Sequence, residues 1–173
     1  MQINQVNIGY QPAEDRLLMR INTRDAAEFR LWLTRAVVSR MLTGLSQSEK
    51  LLISHHTGLA SNPLLHRALE QFDREASMTE TVATTRFETA ASHYPLGQQP
   101  LLVIRLDVTN KADHVSFGFL LSSNQMLTLN LTSDMVASIT RLLHETLKGV
   151  DWNLPFFTMR RPVITVPASE TIH

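Results

Sequence analysis

The chain lacks cysteine, and this absence excludes whole classes of chemistry. Without a thiol there is no disulfide, no thiolate nucleophile and no cysteine-ligated zinc or iron–sulfur site. The glycine-rich GxGxxG and P-loop signatures of nucleotide binding are also missing, as is the HExxH zinc motif. The segment GLSQS at 44–48 fails the GxSxG pattern of a nucleophile elbow. No motif nominates a nucleophile, a base or a cofactor, so we expect a protein that is not an enzyme and holds no cofactor.

An excess of charge of either sign is missing too. Sixteen basic residues balance 16 acidic ones, so no broad electrostatic field draws the protein to nucleic acid or anionic lipid. No apolar run approaches the roughly 18 residues that span a bilayer. The first residues, MQINQVNIGY, have no basic start followed by an apolar stretch, unlike a signal peptide. We therefore expect a cytoplasmic, bacterial protein without membrane contacts.

What the sequence does contain is one pattern that occurs twice, at residues 16–42 and 114–140. Each copy has an alternating strand, a polar turn, a second alternating strand, a threonine and a helical pattern. Overlaid without a gap, the copies place Leu17 on Val115, Met19 on Phe117, Ile21 on Phe119, Phe29 on Leu127, Leu31 on Leu129, Leu33 on Leu131, Thr34 on Thr132 and Val38 on Val136. The repeat predicts two halves of similar architecture.

The remaining patterns complete the predicted order of elements. The predicted strands are residues 3–10, 16–22, 28–33, 82–92, 101–109, 114–121 and 125–131. The predicted helices run from the cap Thr34 to about Leu45, over 62–77, and from the cap Thr132 or Ser133 to Leu147, while 46–60 stays unassigned.

These elements predict an α+β fold, because short turns between neighbouring strands favour an antiparallel sheet with the helices packed on it. We expect one domain over residues 1–149, with pseudo-repeated halves at about 1–80 and 81–149. An extended, proline-containing tail follows at 150–173.

A candidate binding surface lies on the first predicted hairpin. If its apolar side chains point inward, the opposite face carries Arg16, Arg20, Arg30 and Trp32. Arginine beside tryptophan on a sheet is typical of a platform on which unpaired bases stack. Alternatively, Glu14, Asp15 and Glu28 neutralise the arginines, while Trp32 and Leu18 pack under the tail or a second subunit.

The tail is a second candidate contact. Prolines separate its apolar residues, a composition that suits an extended arm lying in a groove of its own domain or of a neighbour. The predicted contact residues are Trp152, Phe156, Phe157, Arg160 and Arg161.

Adjacent histidines at His55 and His56 are the third candidate. Neighbouring residues point to different sides of any regular element, so the pair is poorly arranged to bind one metal ion. We expect no metal site there, and a hydrogen-bonded or surface role is the simpler interpretation. A catalytic histidine is the alternative.

Two resemblances add to these patterns. The stretch DRLLMRINTRDAAEFRLWLTR at 15–35 resembles a family of uncharacterised proteobacterial proteins with a DRxLxR…EFRxWLTRR-like signature, although Ala36 stands where that family has a second basic residue. In topology alone, the repeated sheet-then-helix order looks like the Whirly and PUR class, which implies binding of single-stranded nucleic acid. Fold analogy alone does not assign a function.

The function expected from the sequence is a non-catalytic binding or assembly module that forms homo-oligomers or binds a protein partner. Its contacts would be the sheet face and the tail. A single-stranded DNA- or RNA-binding protein is one alternative, and an enzyme with a histidine-based site is another.

Overall fold

The computed structural model describes residues 2–57, 92–111 and 113–154, which form a six-stranded sheet and two helices. The elements are β1 (Ile3–Gln11), β2 (Arg16–Thr23), β3 (Glu28–Leu33), α1 (Arg35–Thr57), β4 (Leu101–Asn110), β5 (Val115–Leu121), β6 (Met126–Leu131) and α2 (Ser133–Leu147). The strands lie side by side in sequence order. The predicted α+β class is confirmed, and the six strands match their predicted bounds to within one residue. Neither described helix is long and apolar enough to cross a membrane.

The two hairpins of the sequence pattern pair their strands in equivalent registers. Both β2–β3 and β5–β6 are antiparallel. A shift of 98 residues converts the pairs of one hairpin into those of the other: Leu17↔Leu33 into Val115↔Leu131, Met19↔Leu31 into Phe117↔Leu129, and Ile21↔Phe29 into Phe119↔Leu127. The same alternation of apolar residues therefore fixes both registers, because a one-residue slip would turn every buried side chain outward.

The prediction of a wholly antiparallel sheet is wrong at its centre. β3 and β4 run parallel, and Leu31 pairs with Leu101 and Trp32 with Leu102. The prediction assumed that neighbouring strands are joined by short turns. The chain from residue 34 to 100, which includes α1, separates these two strands, and a connection of that length permits parallel pairing.

The two helices pack on the sheet and against each other. α1 packs against β4 and against α2, whereas α2 contacts both edge strands, β1 and β6. At the β1 edge, the Thr146 hydroxyl of α2 donates a hydrogen bond to the Ile8 carbonyl at 3.1 Å.

The hydrophobic core lies between the helices and the sheet face turned toward them, which we call the inner face. Twelve large side chains there are less than 2% exposed: Leu17, Met19, Ile21, Leu31, Leu33, Met41, Leu45, Phe117, Phe119, Leu121, Leu129 and Leu131. Phe117 and Phe119 meet edge to face with ring centroids 6.2 Å apart. The alternation in the strands thus supplies the core that both helices cover.

The first helix begins as predicted but does not end as predicted. The Val37 N–H donates to the Thr34 hydroxyl at 3.4 Å, which confirms the N-cap. The helix continues past Leu45 to Thr57, so it includes His55 and His56, and Gly44 lies inside it. Gly44 does not terminate the helix; it allows α1 to approach β4, because a Cβ at this position would lie 2.9 Å from Cγ2 of Val108.

The first residues of the predicted tail pack on the domain. Trp152 and Leu154 are buried and belong to the core cluster, so residues 150–154 pack on the domain. The indole N–H of Trp152 donates to Asp15 Oδ1 at 2.7 Å, and its ring meets Tyr10 edge to face. The predicted helix at 62–77, most of the strand at 82–92 and residues 155–173 lie outside the described residues.

The close approach of α1 to β4 predicts the effect of Gly44→Ala. Alanine in a helix interior ordinarily stabilises by about 1 kcal/mol relative to glycine. Here the added methyl group collides with a stiff β-branched side chain, and such overpacking costs about 1 to 3 kcal/mol. We expect a net loss of about 1 kcal/mol in the free energy of unfolding, measured by urea denaturation.

The matched control is Gly9→Ala, because a Cβ at Gly9 meets no atom within 4 Å. Val108→Ala in the Gly44→Ala background should recover part of the loss, since it removes the colliding methyl groups. A Gly44→Ala variant as stable as Gly9→Ala would contradict the close packing of α1 on β4.

Candidate binding surface on the outer face of the sheet

The sheet face turned away from the helices, the outer face, carries one apolar side chain from each of five consecutive strands. We call this set the apolar row: Leu18, Trp32, Leu102, Leu120 and Met126. Register places Leu18 opposite Trp32, Trp32 opposite Leu102, and Leu120 opposite Met126. Paired residues of neighbouring strands share a face, so pairing explains the part of the row on β2 to β4 and the part on β5 and β6. Between the two parts the register is offset, because Leu120 pairs with Arg105 rather than with Leu102.

Part of this apolar surface is open to solvent. Met126 is 49% exposed, and Ile104, at the irregularity between Val103 and Arg105, is 55% exposed. The extra residue in β4 leaves Ile104 without a partner in β5. Leu18, Trp32, Leu102 and Leu120 are half-buried. Exposed large apolar side chains on one sheet face are typical of interaction sites.

A buried carboxylate organises the other half of this face. Glu28 has no exposed surface, and its Oε1 accepts a hydrogen bond from Nε of both Arg20 and Arg30, each at 2.8 Å. The two arginines are direct cross-strand partners on β2 and β3. One carboxylate oxygen therefore joins two like-charged side chains that would otherwise repel each other.

Residues 94–98 cover this ion-pair cluster. The Arg30 guanidinium donates from Nη1 to the Gln98 carbonyl at 3.0 Å and from Nη2 to the Tyr94 hydroxyl at 3.3 Å. Its Cζ lies 4.7 Å from the centroid of the Tyr94 ring, within cation–π range. Just before this segment, His93 forms a parallel bridge with Ala27 and accepts the Glu28 N–H. Arg30 therefore makes intramolecular contacts that join β3 to residues 94–98.

Burial and ion pairing act in opposite directions on Glu28. Burial is the largest single effect and would raise the pKa of its carboxyl group. Hydrogen bonds from Arg20 and Arg30, with their positive charges, together outweigh burial and hold the pKa below the ordinary value of 4.5. Glu28 is therefore ionised at neutral pH, although its Oε2 is buried with no hydrogen-bond partner among the described residues.

The four predicted site residues share the outer face but differ in their ion pairing and in their exposure to solvent. Arg20 and Arg30 both form ion pairs with Glu28, one of the three carboxylates that the alternative interpretation of the sequence named. Arg16 is 36% exposed at its side chain and lies 3.6 Å from Glu14, a loose ion pair. Trp32 is half-buried in the apolar row.

Asp15 has a different role from the predicted one. Its Oδ1 accepts from the Trp152 indole at 2.7 Å and from the Tyr10 hydroxyl at 2.8 Å. The two hydrogen bonds, that of Trp152 first, lower the pKa of Asp15. Asp15 therefore secures the C-terminal segment rather than an arginine, and Trp152, predicted to contact a partner, is buried against its own chain. The other predicted tail contacts, Phe156, Phe157, Arg160 and Arg161, lie outside the described residues.

Sequence reasoning named Glu28 as one of three possible counter-ions without singling it out, and it missed the contribution of Tyr94. The signal for Glu28 was present, because it alternates with Arg30 and Trp32 on β3. No local signal could have brought Tyr94 over Arg30, since the two residues are 64 positions apart. The presence of Leu102 and Met126 in the apolar row could not be predicted either, because it depends on which strands pair and in which register.

The described histidines do not form a metal site. No group of three or more histidine, aspartate or glutamate side chains gathers at metal-binding distance within the described ranges. Nδ1 of His114 lies 2.7 Å from Oδ1 of its neighbour Asp113, which is an exposed local pair. The side chains of His55 and His56 are outside the described set, so their predicted roles stay predictions.

Comparison with known proteins adds no assignment: no family model, no curated protein and no solved structure matches the chain. The resemblance at residues 15–35 and the topological similarity to the Whirly and PUR class therefore stay predictions.

The ion-pair cluster predicts a specific acid sensitivity. Glu28→Gln should lower the free energy of unfolding at pH 7 by about 2 kcal/mol, because two half-buried guanidinium groups lose their counter-charge. The folded-state pKa is depressed, so the stabilisation is present above about pH 4.5 and is lost as pH falls through the folded pKa. The stability difference between wild type and variant should shrink over that interval in denaturation curves.

The matched control is Glu145→Gln. Glu145 is ion-paired with Lys148 at 2.7 Å, but both side chains are more than 60% exposed. An exposed pair of this kind contributes about 0.5 kcal/mol or less. Equal losses for the two variants at pH 7 would argue against a stabilising role for the buried cluster.

Proposed function

We propose that the protein is a non-catalytic assembly module that forms homo-oligomers through the outer face of its sheet, with residues 155–173 as an additional contact. The observation that carries this proposal is the apolar row, which crosses five strands on a face that neither described helix covers. An apolar surface of this kind gains free energy when a partner removes it from water.

The charges of the outer face support a second copy as the partner. Glu28 pairs with both Arg20 and Arg30, one carboxylate for two guanidinium groups, and Arg105 donates to Asp107 at 3.1 Å on β4. Because these cations are held by carboxylates, the face carries no large patch of a single sign that would select an acidic or basic ligand. Two copies of a largely apolar, weakly charged face are compatible with each other, as a twofold contact requires.

The C-terminal segment supports an extended contact. Trp152 and Leu154 bind the chain to the end of the sheet near Asp15, where Leu18 and Trp32 also lie. The following residues include Phe156 and Phe157. Nineteen residues in extended conformation reach about 60 Å, enough to cross the outer face of the same copy or of a neighbour.

The proposal predicts the effect of Ile104→Lys. A charge at this exposed apolar position should weaken an association through the outer face without disturbing the core. Multi-angle light scattering of the full chain should give a mass above 19.6 kDa for wild type and a shift toward 19.6 kDa for the variant. The shift should be at least tenfold in dissociation constant, because a lysine would be desolvated at the contact.

The control is Gln47→Lys, which adds the same charge at an exposed position on α1, away from the sheet. It should leave the mass unchanged. A wild-type chain that stays at 19.6 kDa at all concentrations would reject the proposal.

A second candidate function, binding of single-stranded nucleic acid, has one observation in its favour. Trp32 and Leu18 are half-buried rather than covered, and Arg16 lies on the same strand as Leu18 with part of its side chain exposed. The pairing of Arg20 and Arg30 with Glu28 weighs against it, because it leaves fewer cations for phosphates.

The nucleic-acid candidate predicts that labelled single-stranded DNA or RNA gains fluorescence anisotropy with the protein at low salt and loses it at physiological salt. Trp32→Ala should reduce the affinity at least fivefold by removing a stacking surface. Gln47→Lys serves again as the control. Absence of binding at low salt would reject the nucleic-acid candidate and leave the assembly module as the proposed function.

A further inference from the structure

The two edges of the sheet differ in how their peptide groups are covered. At the β1 edge, the pairing is irregular between Ile3 and Gln5, and the Ile8 carbonyl accepts the hydrogen bond of Thr146 from α2. Bulges and covering helices are common protections of edge strands. The opposite edge, β6, follows a regular register over all six of its residues.

The hairpin geometry identifies which peptide groups of β6 face outward. The Leu121 N–H donates to the Gln125 carbonyl, and the Asn124 N–H donates to the Leu121 carbonyl, so Leu121 and Gln125 form the closing hydrogen-bonded pair. Pairs alternate along an antiparallel ladder. The N–H and C=O groups of Met126, Thr128 and Asn130 therefore point away from β5.

These outward groups have no backbone partner within the described part of the chain, where β6 is the last strand of the sheet. The sequence of β6, MLTLNL, has no charge, no proline and no glycine. Charges, prolines and bulges are the features that keep edges from pairing with other strands. β6 lacks all three, and a strand is the occupant that matches such a row of alternating donors and acceptors.

We propose that β6 of one copy pairs antiparallel with β6 of a second copy, continuing the sheet across a twofold axis. The register that centres Thr128 on Thr128 brings two outward-facing residues into a hydrogen-bonded pair and their hydroxyls onto the same face. Threonine–threonine pairs are favourable across strands. The same register sets Met126 opposite Asn130 and Leu127 opposite Leu129, so no charged residue enters the contact.

This contact rests on the proposed homo-oligomerisation, since both require a second copy, but it uses a different surface. The outer face presents side chains, whereas the β6 edge presents peptide groups. The two contacts can therefore fail separately, and together they would build assemblies larger than a dimer.

The absence of cysteine permits a direct test by disulfide cross-linking. In the proposed register, the two Thr128 Cα atoms lie about 5.5 Å apart, within the range of a disulfide. The full-length Thr128→Cys variant under mild oxidation should give a covalent dimer on a non-reducing gel, and most of the chain should convert. Reduction should return it to 19.6 kDa.

The register control is Asn130→Cys, equally exposed on the same strand. Its two copies would be about 13 Å apart along the strands, too far for a disulfide, so cross-linking should fall at least tenfold. Equal cross-linking at both positions would indicate random collision and overturn the proposal.

A second variant tests the pairing without cysteine. Thr128→Pro removes an outward N–H while keeping the ladder to β5, and it should abolish the cross-strand contact. Thr128→Asp, which sets like charges opposite each other, should have the same effect if the proline variant does not fold. The matched control, Thr128→Ala, keeps the N–H and should retain the larger mass in light scattering.

The outcomes separate this contact from the outer-face contact. Cross-linking of Thr128→Cys that persists in the Ile104→Lys background supports β6 pairing independently of the outer face. Oligomers without Thr128→Cys cross-linking overturn the β6 contact and leave the proposed function in place. A chain that is monomeric throughout overturns both.

Discussion

The sheet of this protein has two faces, and both described helices lie on the same one. Every other feature depends on this one-sided layering. The inner face receives large apolar side chains at alternate positions of each strand, and the contacts of α1 with β4 and of α2 with β1 cover them. The outer face must be stabilised by other means, so it contains the ion-pair cluster and the apolar row.

The ion-pair cluster shows how costly terms can balance on such a face. A fully buried carboxylate loses several kcal/mol of hydration, and two adjacent arginines repel each other. Two short charge-assisted hydrogen bonds to one oxygen of Glu28 offset both the desolvation of the carboxylate and the repulsion between the arginines. Tyr94 and Gln98 accept hydrogen bonds from further donors of Arg30. The hydrogen bonds to Glu28 occupy the Nε donors of both arginines. A pattern of basic and aromatic residues on a strand thus acquires a structural role through one acidic neighbour.

Prediction from sequence succeeded where the signal is local. Alternation with a period of two located six strands, because a buried face constrains every second residue. It failed where distant residues decide the outcome. Gly44 looked like a helix terminator, but its role depends on Val108 in another element. Sequence left open whether Trp152 packs on its own domain or on a neighbour, and the contacts with Asp15 and Tyr10 place it on its own domain. The parallel pairing of β3 with β4 depends on a long connection that carries no register signal.

The proposed self-association fits a neutral chain whose outer sheet face is covered by neither described helix. With a formal net charge of +0, two copies approach without the long-range repulsion that keeps charged proteins apart. In the proposed assembly, apolar side chains on the outer face would provide non-directional free energy, whereas the peptide groups of β6 would provide direction and register. The first contribution alone allows many relative orientations, and the second alone is weak in water. Acting together, they would select one arrangement of copies, in which the direction set by a strand edge determines how the apolar faces meet.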